Sequence, residues 1–497
     1  MRLSLTLLLD MAVSGHPDRI ALGPRAGGLT FGQLGRNAAG GAAVLRRRGA
    51  RHVVFAGRNG PCFPRLLFAS AMAAVPFVPL NYRLSGDQLL EMIAGLDQPL
   101  VVADEEYLPL LAGSRDTIGT SAFLAQAAAA DPADPAPADD SAPAVLLFTS
   151  GTTARPKAVV LRHENLVAYI LGTVEFGGAG DDEAALVAVP PYHIAAVGSA
   201  LSNLYAGRRV VYLPDFDPAA WLRLVRDESV TTAMIVPTML ARVLEVLGGR
   251  PAGTPSLRLI SYGGARMPLP VLERALRAFE PAGFCNAYGL TETSSTIALL
   301  GPDEHREALA ADDEAVRRRL GSVGRPVPGI EVEVRADDGS VAPPGTSGQL
   351  WVRGAQVSGE YRGQGSVLDA GGWLDTRDRA WLDGEGYLYI EGRSDDTIIR
   401  GGENIAPAEI EDVLLRHPAV KDAAVLGQPD EEWGEKIVAV VVREPSAAID
   451  TGTLRAFVRG RLRGSRTPDE IVWRAELPHT ATGKLSRREL REQLTVT

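Results

Sequence analysis

The densest set of groups able to hold an anion lies at 149–158, Thr-Ser-Gly-Thr-Thr-Ala-Arg-Pro-Lys-Ala. Thr149, Ser150, Thr152 and Thr153 offer hydroxyl donors, and Arg155 and Lys157 bring positive charge. Gly151 lets the backbone come close to a ligand, and Pro156 stiffens the loop. That combination suits a polyphosphate, although an ordinary polar hairpin turn would draw on many of the same residues. It is not a Walker loop, because no Gly-x4-Gly-Lys-Ser/Thr occurs. Other residues with chemistry to offer are Tyr192 and His193, presented where the apolar run 187–190 ends in two prolines, and Lys484 in a Thr-Gly-Lys turn. Gly263, Gly264 and Ala265 follow another apolar run, where two glycines would either let a planar ring lie against the backbone or form a tight turn. Trp433 sits in a polar setting that argues against a core position.

The elements that must position these residues follow from periodicity. Apolar runs 144–148 and 159–161 flank the loop and predict two buried strands. Residues 1 to about 125 alternate helical patterns with short buried strands, the rhythm of an α/β layer structure. A connector rich in proline and aspartate, 127–144, delivers the chain into the loop. Residues 321–391 read as strands and glycine turns, and a helix is predicted to start near Pro407. The segment 194–202 is rich in small residues, which serves either close helix packing or a roomy apolar pocket.

A chain of 497 residues is too long for one ordinary core, so two or more domains are expected. The net charge of -10 implies no basic face and argues against a nucleic-acid partner. Cys62 and Cys285 lack ligand-like spacing, so neither a disulfide framework nor a zinc site is indicated and a cytoplasmic location is expected. The run 5–9 is short and ends at Asp10, which predicts a helix rather than a signal peptide. Pro76 and Pro79 interrupt the longest apolar stretch, so no membrane segment is expected.

The loop resembles Ser-Gly-Thr-Thr-Gly-x-Pro-Lys-Gly, the phosphate signature of the acyl-adenylate-forming, or AMP-binding, superfamily. That superfamily includes acyl-CoA synthetases, peptide-synthetase adenylation domains and firefly luciferase. Tyr288-Gly-Leu-Thr-Glu-Thr293, Thr376-Arg377-Asp378, the segment 392–411 and the final Thr-Gly-Lys484 resemble further family motifs in the family's order. The resemblance covers essentially the whole chain and points to the acid–CoA ligase branch. It implies an α/β fold in two parts. The N-terminal domain, 1–393, would be large and built of several subdomains, αβαβα layers plus a small β-barrel-like part. The C-terminal lid, 394–497, would be smaller, mobile and α+β, hinged near Asp395.

It also implies roles. Thr149 to Lys157 would hold the β- and γ-phosphates of ATP, and Thr291 the α-phosphate. Glu292 would bind Mg2+, and Gly263, Gly264, Ala265 and Tyr288 would enclose the adenine of ATP or AMP. Asp378 would grip the ribose hydroxyls with Arg393 beside it, and His193 would border the carboxylate pocket. Lys484 would bridge the attacking carboxylate and the α-phosphate. Gly401, Gly402 and Glu403 would line the thiol channel, with Trp433 along the pantetheine arm of coenzyme A. The implied reaction joins a carboxylic acid, bulky and hydrophobic, to CoA through an acyl-adenylate.

Four positions depart from the family pattern: Ala154, Ala158 and Arg377 stand for glycines, and Gln349 for a glutamate. The two alanines would forbid positive φ in the phosphate loop. They raise the expectation of a variant that only transfers preformed acyl-adenylates to CoA and relies on a separate adenylating enzyme. An enzyme that loads a carrier protein and a non-catalytic nucleotide-binding relative are further alternatives, and the oligomeric state is not legible.

Overall fold

The computed structural model describes residues 3–114, 116–137, 139–149, 157–400, 403–430, 433–445, 447–462, 464–480 and 484–495, without the side chains of 403, 404 and 495. The apolar runs form strands where expected, His52–Ala56, Phe77–Pro79 and Pro99–Ala103, and they pair in parallel. Strands buried on both faces read as continuous apolar runs, which is why no alternation marked them. With Pro143–Thr149, Lys157–Arg162 and three short further strands they make an eight-stranded sheet. A nine-stranded sheet carries Ala184–Val187, Arg209–Tyr212, Thr232–Ile235, Leu259–Gly263 and Gly283–Leu290 at its centre.

One hydrophobic core joins the two sheets: Val53, Phe55 and Phe77 of the first are clustered with Val210, Ile235 and Ile260 of the second. Helices Leu5–Gly15, Phe31–Arg47 and Cys62–Ala73 contribute Leu8, Leu34 and Leu66 to the same cluster. The Leu5 run is therefore a packed helix, as expected. The part expected to be barrel-like is a four-stranded antiparallel sheet, in the order Glu331–Arg335, Gly348–Arg353, Leu374–Leu382, Leu388–Arg393. Its core reaches Ile297 and Ala298 of strand Ser295–Leu300, which fastens it to the nine-stranded sheet.

From residue 398 onward the chain forms cores of its own. A hairpin, Ile398–Arg400 with Glu403–Ile405, and a three-stranded sheet, Val420–Asp430, Gly434–Arg443 and Glu470–Arg474, pack with helices Pro407–Leu415 and Thr451–Arg459. The predicted helix start at Pro407 is met, with Pro407 in its first turn and Glu409 beside it. Among the described residues, ion pairs tie this part to the larger one: Lys421 Nζ meets Glu245 Oε1 at 3.2 Å, and Arg266 meets Asp412. Among the described residues no helix is long and apolar enough to cross a membrane.

Helix Phe31–Arg47 holds adjacent glycines for a packing reason. A Cβ on Gly40 would lie 2.0 Å from the carbonyl oxygen of Ala127, so helix Thr120–Ala129 approaches backbone to backbone. Alanine is the better helix former by about 1 kcal/mol. Overpacking against a fixed carbonyl costs about 1–3 kcal/mol and wins. Gly40→Ala is therefore expected to lower the urea midpoint of unfolding.

Candidate active site

Asp378 is the buried centre of the site. It lies in strand Leu374–Leu382, where burial pushes its carboxyl above the usual carboxylate range. The Tyr288 hydroxyl opposes that shift by donating to Oδ2 at 2.5 Å, and the charges of Arg393 and Lys484 oppose it further. Tyr288 comes from strand Gly283–Leu290, Arg393 closes strand Leu388–Arg393, and Lys484 arrives from the C-terminal part. Arg393 Nη1 donates to the carbonyl of Thr376 at 3.1 Å and lies 3.4 Å from Asp378 Oδ1, while its Nε lies 3.7 Å from Asp395.

Lys484 is open to the cleft but enclosed by its walls. That enclosure lowers the pKa of its ammonium, with Arg393 adding to the effect and the carboxylates of Asp378 and Glu292 working against it. The ammonium is thus within electrostatic reach of the two carboxylates that the sequence assigned to ribose and metal. Its backbone N–H donates to Thr480 Oγ1 at 3.1 Å, and Thr480 N–H returns a bond to its carbonyl at 2.7 Å, which fixes the turn.

Thr291 and Glu292 occupy a single 3-10 turn, Thr291–Thr293, at the end of the Tyr288 strand. The turn is held by Thr293 Oγ1, which accepts from Leu290 N at 3.0 Å, and by Gln356 Nε2, which donates to the Thr293 carbonyl at 3.0 Å. Ser294 and Ser295 follow with φ of 56° and 117°, strained values for non-glycine residues. Glu292 Oε1 accepts from the Tyr361 hydroxyl at 2.7 Å, and Lys157 Nζ stands 5.6 Å from the centre of the Tyr361 ring. Tyr361 thereby links Lys157, at the base of the loop, to the carboxylate of Glu292. Sequence reasoning missed it, because no local pattern marks a tyrosine whose partners lie 69 residues away or more.

The loop's ends are in place. Thr149 and Lys157 are register partners at the tip of the antiparallel pair, as the flanking apolar runs predicted. Ser150, Gly151, Thr152, Thr153 and Ala154 lie outside the described residues, as do Gly401 and Gly402, while Glu403 pairs with Arg400 through its backbone. Ala158 corrects one expectation. It is a regular strand residue paired with Phe148, its carbonyl accepts from Arg362 N at 2.9 Å, and it is absent from the residues with positive φ. An alanine therefore loses nothing there.

Gly263 and Gly264 have different causes. A Cβ on Gly263 would lie 2.2 Å from the Ala287 carbonyl, so close strand packing demands it, whereas Gly264 has φ of 78° and a Cβ there would make only ordinary contact with Val236 Cγ1 at 3.8 Å, with Ala265 half-buried beside it. In helix Ile194–Tyr205 a Cβ on Gly198 would meet Ser295 Oγ at 3.2 Å, so at least this small residue serves close packing. His193 precedes that helix. Burial, aided by Lys484 and Arg83, takes its pKa down to about 3, and its Nε2 has no hydrogen-bond partner among the described residues. The neighbouring Tyr192 hydroxyl is likewise buried and unpartnered. Buried polar atoms ordinarily find partners, so a polar substrate group fits this place. Trp433 is 44% exposed, with the Arg400 guanidinium 4.9 Å from its ring centre, so it is not a core residue.

Residues 9–362 match the family model for AMP-binding enzymes, and 409–484 match the model for the AMP-binding enzyme C-terminal domain. The chain belongs to the AMP-binding enzyme family. It is 35% identical to a feruloyl-CoA synthase of Amycolatopsis sp, covering 97% of this chain and 96% of the relative. It is 30% identical to an indoleacetate–CoA ligase of Aromatoleum aromaticum, covering 97% of each. The o-succinylbenzoate CoA synthetase of Bacillus subtilis, solved with its acyl-adenylate intermediate, superposes with a TM-score of 0.85 at 29% identity, covering 97% of each chain. The chain is thus an enzyme of an acid–CoA ligase family that works through an adenylate, with ATP or AMP, Mg2+ and CoA as its ligands. The residues fit these groups: Glu292 is a single carboxylate, and Mg2+ takes few protein ligands when substrate phosphates complete its shell.

Because desolvation lowers the Lys484 pKa, the ammonium is lost at a lower pH than for an ordinary lysine, and ATP–pyrophosphate exchange should decline on the alkaline side accordingly. Lys484→Arg keeps its charge at every accessible pH and should abolish that limb while lowering the maximum. His193 stays neutral above about pH 3, so His193→Gln should leave the shape of the pH–rate profile between pH 5 and 8 unchanged while reducing its height.

Proposed function

We propose that this protein is an AMP-forming acid–CoA ligase that makes its own acyl-adenylate, with an aromatic or similarly bulky hydrophobic acid as substrate. The observation that carries the reading is Lys484 standing in the cleft with Asp378 and Glu292, the arrangement the adenylation step needs. Its ammonium offsets charge on the attacking carboxylate and the α-phosphate as the bond forms. Asp378 takes the ribose hydroxyls, Thr291 the α-phosphate, and Lys157 with the hydroxyls of 149–153 the departing pyrophosphate. Glu292 would hold Mg2+, which when bound would supply further neutralisation of phosphate charge. Tyr288 with 263–265 encloses adenine, and His193 and Tyr192 border the acyl carboxylate.

The second step needs Lys484 withdrawn and a thiol admitted. We assign the body to 1–393 and the lid to 394–497, turning near Asp395, so that 401–403 and Trp433 come to line the channel for the pantetheine arm. Exposed Asp395 and half-exposed Trp433 suit residues whose surroundings change. The regular strand geometry of Ala158 removes one of the two reasons for a non-adenylating variant, which favours adenylation by this chain itself. A cytoplasmic location, where ATP and CoA are available and thiols stay reduced, fits buried free Cys62 and Cys285. The aromatic class is supported by the relatives, whose names specify ferulate and indoleacetate.

The test is ATP–pyrophosphate exchange across ferulate, indoleacetate, 2-succinylbenzoate and a medium-chain fatty acid, each followed by thioester formation with CoA and with a pantetheinylated carrier protein. Exchange and CoA thioester with an aromatic acid are expected. Thioester from a synthetic adenylate without exchange from any acid would overturn the adenylating reading, and preference for the carrier would overturn the CoA assignment.

A further inference from the structure

Two departures from the family pattern, Gln349 and Arg377, meet in one hydrogen-bonded network. Gln349, half-buried in strand Gly348–Arg353, uses both ends of its amide. Nε2 donates to Asp375 Oδ1 at 2.6 Å, and Oε1 accepts from the Ser394 hydroxyl. The same Asp375 oxygen accepts from the backbone N–H of Arg377 at 2.8 Å, and Arg377 has φ of 60°, a left-handed conformation unusual for a non-glycine residue. That bond holds the turn which delivers Asp378, whose own N–H is fixed by Thr376 Oγ1 at 3.1 Å. Ser394 opens the 3-10 turn Ser394–Asp396 that contains Asp395.

We propose that Gln349 is a positioning residue that ties the fixed end of the lid hinge to the turn carrying the ribose-binding carboxylate. The inference rests on the reading of a ligase whose lid turns near Asp395. The Gln349 amide donates to a carboxylate on one side and accepts a hydroxyl on the other, which an ionised glutamate could not do. A glutamate here would face Asp375 carboxylate to carboxylate. Anchoring Ser394 confines the rotation to the residues after it, so the lid closes at one angle and Lys484 arrives opposite Asp378. Thioesterification uses the turned lid and not Lys484, so it does not draw on this closed angle.

Three variants of the full chain test this. Ser394→Ala cuts only the hinge end, and should slow pyrophosphate exchange roughly tenfold, the weight of a hydrogen bond in a positioned network, with thioester formation from a synthetic adenylate within about twofold of wild type. Gln349→Glu sets two carboxylates together and should weaken AMP binding, measured by calorimetry, roughly tenfold as the ribose turn is displaced. The double variant Gln349→Glu with Asp375→Asn reverses the polarity. The amide introduced at 375 donates to the carboxylate introduced at 349 and still accepts from Arg377 N, so AMP affinity should return to near the wild-type value. Parallel loss of both half-reactions in Ser394→Ala, or no recovery of AMP affinity in the double variant, overturns the proposal. The AMP measurement decides its ribose end even if the wild type exchanges pyrophosphate with no acid, a result that would sink the adenylating reading instead.

Discussion

A buried carboxylate is costly unless charges and donors converge on it, and Asp378 sets that requirement for this molecule. Burial raises its pKa, and the groups that counter the shift come from three separate parts of the chain: Tyr288 from the nine-stranded sheet, Arg393 from the last strand of the four-stranded sheet, and Lys484 from near the C-terminus. The Tyr288 bond at 2.5 Å is a directed hydrogen bond, whereas the 3.4 Å approach of Arg393 works mainly as nearby charge. A ribose that brings hydroxyl donors to Asp378 adds to the same balance. In the proposed reading, nucleotide and Lys484 therefore favour each other through this one carboxylate.

The walls around that carboxylate are held in strained backbone. Ser294, Ser295 and Arg377 all take positive φ without being glycine. Each costs about 1–3 kcal/mol and persists only where neighbouring bonds overdetermine it. Those bonds are present: Thr293 Oγ1 grips Leu290 and Ser295 through three contacts at 2.9–3.1 Å, and Asp375 caps the Arg377 N–H. The strain lies in the segments that carry Glu292 and Asp378, so backbone that glycine would leave loose is fixed where two site carboxylates must not wander.

What could be read from the sequence was whatever is contiguous. The strands on either side of 149–157, the helix from Pro407 and the motif residues Tyr288, Glu292, Asp378, Arg393 and Lys484 are local patterns, and the structure gathers those five into one cleft. What escaped was register. Ala158 was weighed as a loop residue because the motif runs through it, yet it is already inside the strand, where an alanine is ordinary. Tyr361 belongs to the site only because strand Glu360–Tyr361 pairs beside Lys157–Arg162. The partners of Gln349 were equally invisible, since a departure from a motif gains meaning only from what it faces. Glycines divided by cause: Gly263 by strand packing, Gly264 by its positive φ.

The proposed rotation of the part after 394 asks for a weak attachment. Among the described residues no hydrophobic cluster mixes residues before 394 with residues after it: the body cores end at Ile390, and the C-terminal cores begin at Ile398. Away from the hinge, the ion pairs of Lys421 with Glu245 and Arg266 with Asp412 keep solvent contact on both partners, and such pairs contribute only about 0–1 kcal/mol each. Opening therefore sacrifices little apolar burial. In the proposed reading the carboxylates of Asp378 and Glu292 attract the Lys484 ammonium across this boundary, and the departure of pyrophosphate would remove further negative charge from around it. In the proposed two-step cycle the chemistry of the first step itself weakens the hold on Lys484, and the rotation follows without a separate signal.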